Sequence, residues 1–327
     1  GAARLHCAAL RLSDPVSAFL RQFELAAPLF VLVLAGYLLS ASGRWPKAVS
    51  DALTRFVFVV AIPALLFRLL SDLSRLPPVD ARLLIAFFGG CLIVFVLGRL
   101  AGRWLFRLDG VQQSVFALGG IFSNNVLLGV PIARATLGEA AMPSVALIIV
   151  FNALTLWMLV TVSVEWARHG ELSLRGFGAT LRGVLTNPIV AAVLAGTAFG
   201  LTGWRLPGLI DQPLDLLGSS AVPLSLVVLG MGLAEYGVRN GWREAGAITA
   251  LKLLVQPLVV WALARALGLP PVETQAIVLL AALAVGVNVY LMAREFDTMQ
   301  APVAASMVLS TALAALSVPI VLTLLAD

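Results

Sequence analysis

Charge is scarce in this chain: of 327 residues only 12% are Asp, Glu, Lys or Arg, and 60% are hydrophobic. Soluble domains carry roughly 25% charged residues, so a water-soluble globular fold is excluded. Histidine is almost missing, with His6 in the N-terminal tail and His169 after an apolar run. No His-Glu-x-x-His or Gly-x-Ser-x-Gly pattern occurs, so the residues needed by a metal-dependent or serine-type enzyme are absent from the sequence. The two cysteines, Cys7 in the tail and Cys91 inside an apolar run, have no metal-ligand spacing and suggest no disulfide. The chain is therefore expected to be no enzyme and to need no metal or cofactor. The acidic residues, 17 in all, map to loops or to the ends of apolar runs. A sodium/proton antiporter would need carboxylates in mid-membrane, which leaves that cation/proton reading as the weaker alternative.

What fills the chain is apolar sequence. Runs of about 20 residues, the length that crosses ~30 Å of hydrocarbon, recur from near the N-terminus to the C-terminus. Ten spans follow, at 25–40, 51–70, 81–104, 111–134, 142–166, 184–202, 213–234, 243–267, 272–293 and 301–325. Turn residues separate them, among them Ser42-Gly43, Pro77-Pro78, Asp109-Gly110 and Pro270-Pro271. The expected organisation is a tail at 1–24 and one membrane domain at 25–327. Its basic residues sit singly between spans, which makes them topology signals and not a nucleic-acid surface. Twelve fall in the loops after odd-numbered spans, including Arg168, Arg175 and Arg182 of the longest loop at 167–183, against six in the opposite loops. By the positive-inside rule that loop is cytoplasmic and both termini lie on the non-cytoplasmic side. Trp45, Trp104, Trp166, Trp204 and Trp242 cluster near span ends, as an aromatic belt in a lipid bilayer requires.

An odd number of spans per half inverts the second half relative to the first. The halves at 25–166 and 184–325 match weakly in several places. Pro63 and Pro223 interrupt spans two and seven, and Gln112 to Asn125 repeats the thirteen-residue interval of Gln275 to Asn288. Span four also carries Ser123-Asn124-Asn125-Val126-Leu127-Leu128-Gly129-Val130-Pro131, which sets two amides, a glycine and a proline within apolar sequence. Gly129 and Pro131 predict an unwound segment at their own position, and Gly286 predicts its counterpart in span nine. Broken backbone survives at membrane depth only around protein or a water-filled cavity. Half-helix N-termini there offer N–H groups to an anion. Asn124, Asn125, Gly129, Pro131, Gly286 and Asn288 are thus candidate substrate residues. Asn152, Ser310 and Thr311 are lining candidates.

Lys252 is the one charge placed deep in a span. It is a candidate to neutralise a bound anion or to hold the helix crossing as a fixed cation; snorkelling to the cytoplasmic face is the bland alternative. Gly98 and Gly102 form a Gly-x-x-x-Gly pair suited to packing within the chain or to a homodimer.

Asn124-Asn125 with Gly129-Val130-Pro131-Ile132, Gly286-Val287-Asn288 with Leu291-Met292-Ala293, Ser310-Thr311 ahead of Ser317 and Pro319, and Ala61-Ile62-Pro63-Ala64-Leu65-Leu66-Phe67 together resemble the bacterial, malonate-carrier-like branch of the auxin efflux carrier family. The resemblance spans 25–325 and takes in Lys252 with Pro257. It implies an all-α polytopic fold of ten helices in two inverted five-helix repeats, similar to bile acid symporters and sodium/proton antiporters, with broken spans four and nine crossing at the site. It implies a panel that moves against a scaffold of spans one, two, six and seven, carrying a small organic anion such as malonate or an auxin-like carboxylate across the cytoplasmic membrane. The family often places a proline at the position of Ala284, so the resemblance implies a weaker break in span nine.

Overall fold

The computed structural model describes residues 15–72, 80–169, 188–235 and 241–325. Its helices are α1 Pro15–Ala41, α2 Lys47–Leu70, α3 Ala81–Phe106, α4 Gly110–Gly119, α5 Asn125–Leu137 and α6 Met142–His169. They continue with α7 Pro188–Leu201, α8 Gly208–Glu235, α9 Trp242–Ala266, α10 Pro271–Ala281, α11 Val287–Glu295 and α12 Gln300–Leu325. Seven of them are long and apolar enough to cross a membrane. The expected fourth and ninth spans are each divided in two, as α4 with α5 and α10 with α11. The first helix starts at Pro15, so residues 15–24, expected in the tail, are helical. Cys7, Arg175, Arg182, Arg239 and the Pro77-Pro78 turn lie outside the described residues.

The outer surface is apolar, with Ile85, Leu92, Ile93 and Val96 of α3 exposed, and Trp104, Trp166, Trp204 and Trp242 exposed near helix ends. Water would not tolerate such a surface, whereas lipid requires it.

Two groups of helices pack internally. In the first, α8 lies against α1 and α2, and α7 against α2; in the second, α9 packs on α3, α10 and α12, and α4 on α3 and α6. Glycines set the close crossings of the first group: a Cβ at Gly230 would overlap the Val33 carbonyl, and one at Gly36 the Val227 carbonyl. Gly98 packs within the second group, where a Cβ would come 2.9 Å from Ala117 Cα. The Gly-x-x-x-Gly pair therefore serves internal packing.

Three helices carry one π turn each, at Val57–Ala61 in α2, Asn125–Gly129 in α5 and Leu251–Val255 in α9. In each case a proline follows at the same distance: Pro63, Pro131 and Pro257. Proline lacks an N–H and its ring crowds the carbonyl four residues earlier; a π turn hands carbonyls to the fifth residue on and relieves that clash. The bonds are those of Ile62 N to Val57 O, Val130 N to Asn125 O and Gln256 N to Leu251 O. The Leu127 carbonyl, which a residue other than Pro131 would satisfy, accepts instead from Ser225 Oγ of α8 at 3.1 Å.

Arg99 lies within α3, half-buried, and donates to Ser114 Oγ at 2.7 Å and to Ser163 Oγ. At one end of the first group Arg68 pairs with Asp211 and Asp215, both at 2.6 Å.

Candidate functional site

The span-four break lies at residues 120–124, upstream of where Gly129 and Pro131 predict it. Those two residues are helical, because the π turn at Asn125–Gly129 absorbs the Pro131 ring and Ser225 Oγ supplies the Leu127 carbonyl with the donor that proline lacks. Gly129 is a packing residue: a Cβ there would come within 2.8 Å of Leu283 Cδ1 and 2.9 Å of Leu280 Cδ2. The span-nine break, at residues 282–286, is as long as the first, even though Ala284 stands where a proline was implied.

The two breaks hold each other open. Ser123 and Val285 form an antiparallel bridge, in which Asn124 N donates to Ala284 O at 2.9 Å and Gly286 N to Phe122 O at 2.8 Å. Backbone groups that leave a helix are thereby paired in the partner break. Val285 N donates to Ser310 Oγ at 3.0 Å, so Ser310 supports the second break from α12. Gly286 is extended, with φ −77° and ψ 149°, and glycine is needed there for approach: a Cβ would lie 2.8 Å from Ser123 O. Gly286→Ala should cost about 1–3 kcal/mol through overpacking and lower the unfolding temperature. Gly232→Ala, with nothing within 4 Å of its Cβ, should not.

Within the bridge Asn124 and Gly286 occupy equivalent places, as do Phe122 and Ala284. The expected match of Gln112 to Asn125 with Gln275 to Asn288 is one residue out of step with that pairing.

Behind the breaks, α9 caps the carbonyl ends of both upstream helices. Lys252 is 0% exposed. Its Nζ donates to Gln256 Oε1 at 2.6 Å and to the Ala281 carbonyl at the end of α10. Gln256 Nε2 donates to the Ile121 carbonyl beyond α4 at 2.9 Å and to Cys91 Sγ at 3.4 Å. Lys252 therefore does not snorkel: its ammonium ties α9 to the carbonyl end of α10. Sequence reading missed Gln256, although its place four residues after Lys252 is the signal that puts both on one helix face.

In front of the breaks, a cavity of about 80 Å³ opens between the two helix groups. Ser123, Asn124, Asn125, Gly286 and Asn288 line it from the crossing, Asn152 and Ile149 from α6, Phe58 from α2, and Ile189 and Val190 from α7. Asn124, Asn125, Asn152, Gly286 and Asn288 are thus brought together, whereas Gly129, Pro131, Lys252, Ser310 and Thr311 are not. Thr311 bonds to the Met307 carbonyl at 2.7 Å and borders a separate apolar cavity of about 470 Å³.

The first turns of α5 and α11 both begin at this cavity, and the leading N–H groups of a helix have no partner within it. Asn124 Oδ1 takes one of them, accepting from Leu127 N at 3.3 Å. Buried polar atoms remain unpaired: both Nδ2 and Oδ1 of Asn125, Asn124 Nδ2, Ser123 Oγ and Asn152 Oδ1. Native interiors pair the great majority of such groups, and a cluster of exceptions in one cavity is what a polar ligand would complete.

A family model described as membrane transport protein matches residues 22–174 and 173–322. The chain belongs to that family, the auxin efflux carriers. This auxin efflux carrier family member is a polytopic membrane protein with two repeated halves, a transporter and not an enzyme. It is 26% identical to the "Putative malonate transporter" of Rhizobium meliloti, over 90% of this chain and 92% of that one. It is 27% identical to an "Uncharacterized transporter" of Methanothermobacter thermautotrophicus, over 92% and 98%. Against "Auxin efflux carrier component 8" of Arabidopsis thaliana the identity is 22%, over 83% and 88%.

Proposed function

We propose that this carrier moves a small organic anion, a malonate-like or auxin-like carboxylate, across the cytoplasmic membrane through the cavity at the crossed breaks. The observation that carries this reading is the convergence of two helix N-termini and four asparagines with unpaired or half-buried amides on one cavity between two helix groups. Helix N-termini favour negative charge. No carboxylate lines the cavity among the described residues, which favours an anion over the cation of an antiporter. The names borne by two relatives point to the same chemistry.

The division into two helix groups supports alternating access of an elevator type, in which the group that holds the crossed breaks slides against a scaffold of α1, α2, α7 and α8 and carries the cavity with it. The local twofold symmetry of the Ser123–Val285 bridge supports an inverted repeat, and the excess of Lys and Arg in the loops after odd-numbered spans supports termini on the non-cytoplasmic side. The test is uptake of labelled malonate into proteoliposomes. Asn288→Ala, at equal protein level, should lower uptake roughly tenfold by removing a hydrogen bond to a charged ligand. Absence of uptake for dicarboxylates and aromatic carboxylates alike would reject the reading.

A further inference from the structure

The crossing contains four helix ends and one buried charge, and their balance sets the charge of what the cavity accepts. Each helix end carries roughly half an elementary charge, positive at the N-terminus and negative at the C-terminus. The ends of α4 and α10 together present roughly one negative charge, and Lys252 answers it through the Ala281 carbonyl and, by way of Gln256, the Ile121 carbonyl. The starts of α5 and α11 present roughly one positive charge to the cavity, met among the described residues by no charged side chain and only by the neutral Asn124 amide at Leu127 N.

No Asp, Glu, His, Lys, Arg, Cys or Tyr lines the cavity among the described residues. The elements that face the crossing contribute Phe58 from α2, Ile149 and Asn152 from α6, and Ile189 and Val190 from α7. Lys252 does not line the cavity; it bonds to Gln256 and to the Ala281 carbonyl, and Gln256 in turn reaches Cys91. The cavity therefore balances one negative charge and not two. Its side chains also offer acceptors as well as donors: Asn152 Oδ1 and Asn125 Oδ1 are unpaired beside Asn125 Nδ2, Asn124 Nδ2 and Ser123 Oγ. A dicarboxylate dianion has acceptors only and would leave those amide oxygens buried without a donor, at a cost of about 1–3 kcal/mol each.

We propose that the cavity takes its dicarboxylic substrate as the hydrogen monoanion. One carboxylate lies at the starts of α5 and α11, and the protonated carboxyl donates its O–H to Asn152 Oδ1 or Asn125 Oδ1. The proton stays on the substrate, so one proton and one net negative charge cross with each dicarboxylate and no protein side chain exchanges a proton. This rests on the crossed breaks being the substrate site.

Equilibrium binding of three probes to the purified full chain, between pH 5 and 8, tests it. Apparent affinity for labelled malonate should fall about tenfold per pH unit above the second ionisation of the acid, as the competent species is diluted. Malonamate, a monoanion with N–H donors across that range, should bind with constant affinity. Monomethyl malonate, a monoanion without a donor, should bind more weakly and be indifferent to Asn152→Leu, while that variant should weaken malonate at low pH roughly tenfold. Malonate affinity that stays level or rises above its second ionisation overturns the proposal and leaves the site reading intact. An equal loss of malonate and monomethyl malonate binding in Asn152→Leu overturns the role given to the amide oxygens. Failure of all three probes to bind at every pH rejects the site reading, and the proposal with it.

Discussion

Lys252→Met is expected to be the most destabilising single substitution at the crossing, lowering stability by about 3 kcal/mol. Methionine fills similar volume, so the loss is not one of packing. It strips the Ala281 carbonyl and Gln256 Oε1 of their donor, and each orphaned buried acceptor costs about 1–3 kcal/mol. Relief of the buried ammonium offsets part of that cost, since an isolated charge is expensive away from water. The larger effect should win because the charge is not isolated: it faces the negative ends of two helices. Thermal unfolding of the purified protein in detergent reads the change. Gln256→Leu should also lower stability, because the Ile121 carbonyl and Cys91 lose a donor and the Lys252 ammonium loses an acceptor. The double variant should lose less than the sum, as residues in one network do. An unfolding temperature unmoved by Lys252→Met would show that the crossing does not need its cation.

Asn125→Leu should separate stability from function. Asn125 is 3% exposed and both of its side-chain polar atoms are unpaired. Burial of an unpaired amide costs about 1–3 kcal/mol, so an apolar side chain of similar size should leave the ligand-free protein equally stable or raise its unfolding temperature. Malonate binding should fall between roughly tenfold and a hundredfold, the range for hydrogen bonds to a charged group. Stability and binding that fall together would identify Asn125 as a structural cap. Ser123→Ala, which removes another unpaired atom, should show the same separation more weakly.

Much of this architecture was legible in the sequence because membrane spans are written in long apolar runs and turns in glycine and proline. The two breaks were also legible: Gly286 lies in the second, at 282–286, whereas the first lies upstream of Gly129 and Pro131. Pro131 and Gly129 read as helix breakers, yet the π turn before Pro131 absorbs its ring, and Asn124, an N-cap residue, was the better marker of where α5 begins. The place of Lys252 in an apolar run left burial and snorkelling both open; its direction was not legible, because the backbone carbonyl it meets, that of Ala281, is 29 residues away in sequence. Ser310 was read as a lining hydroxyl and proved to be a support for Val285, a contact between α12 and a break that no local pattern encodes.

The three π turns have a practical bearing on how the helices are numbered around their axes. An α-helix advances about 100° per residue, and a π turn inserts one residue without adding a turn. In α2, α5 and α9 the faces beyond Ala61, Gly129 and Val255 are therefore rotated by about 100° relative to a helical wheel drawn from the start of the helix. A cysteine scan or spin-label series that assumes one continuous wheel would assign Ile62 to Leu70, Val130 to Leu137 and Gln256 to Ala266 to the wrong sides. Drawn in two phases, the same data would separate residues that face lipid from those that face the crossing.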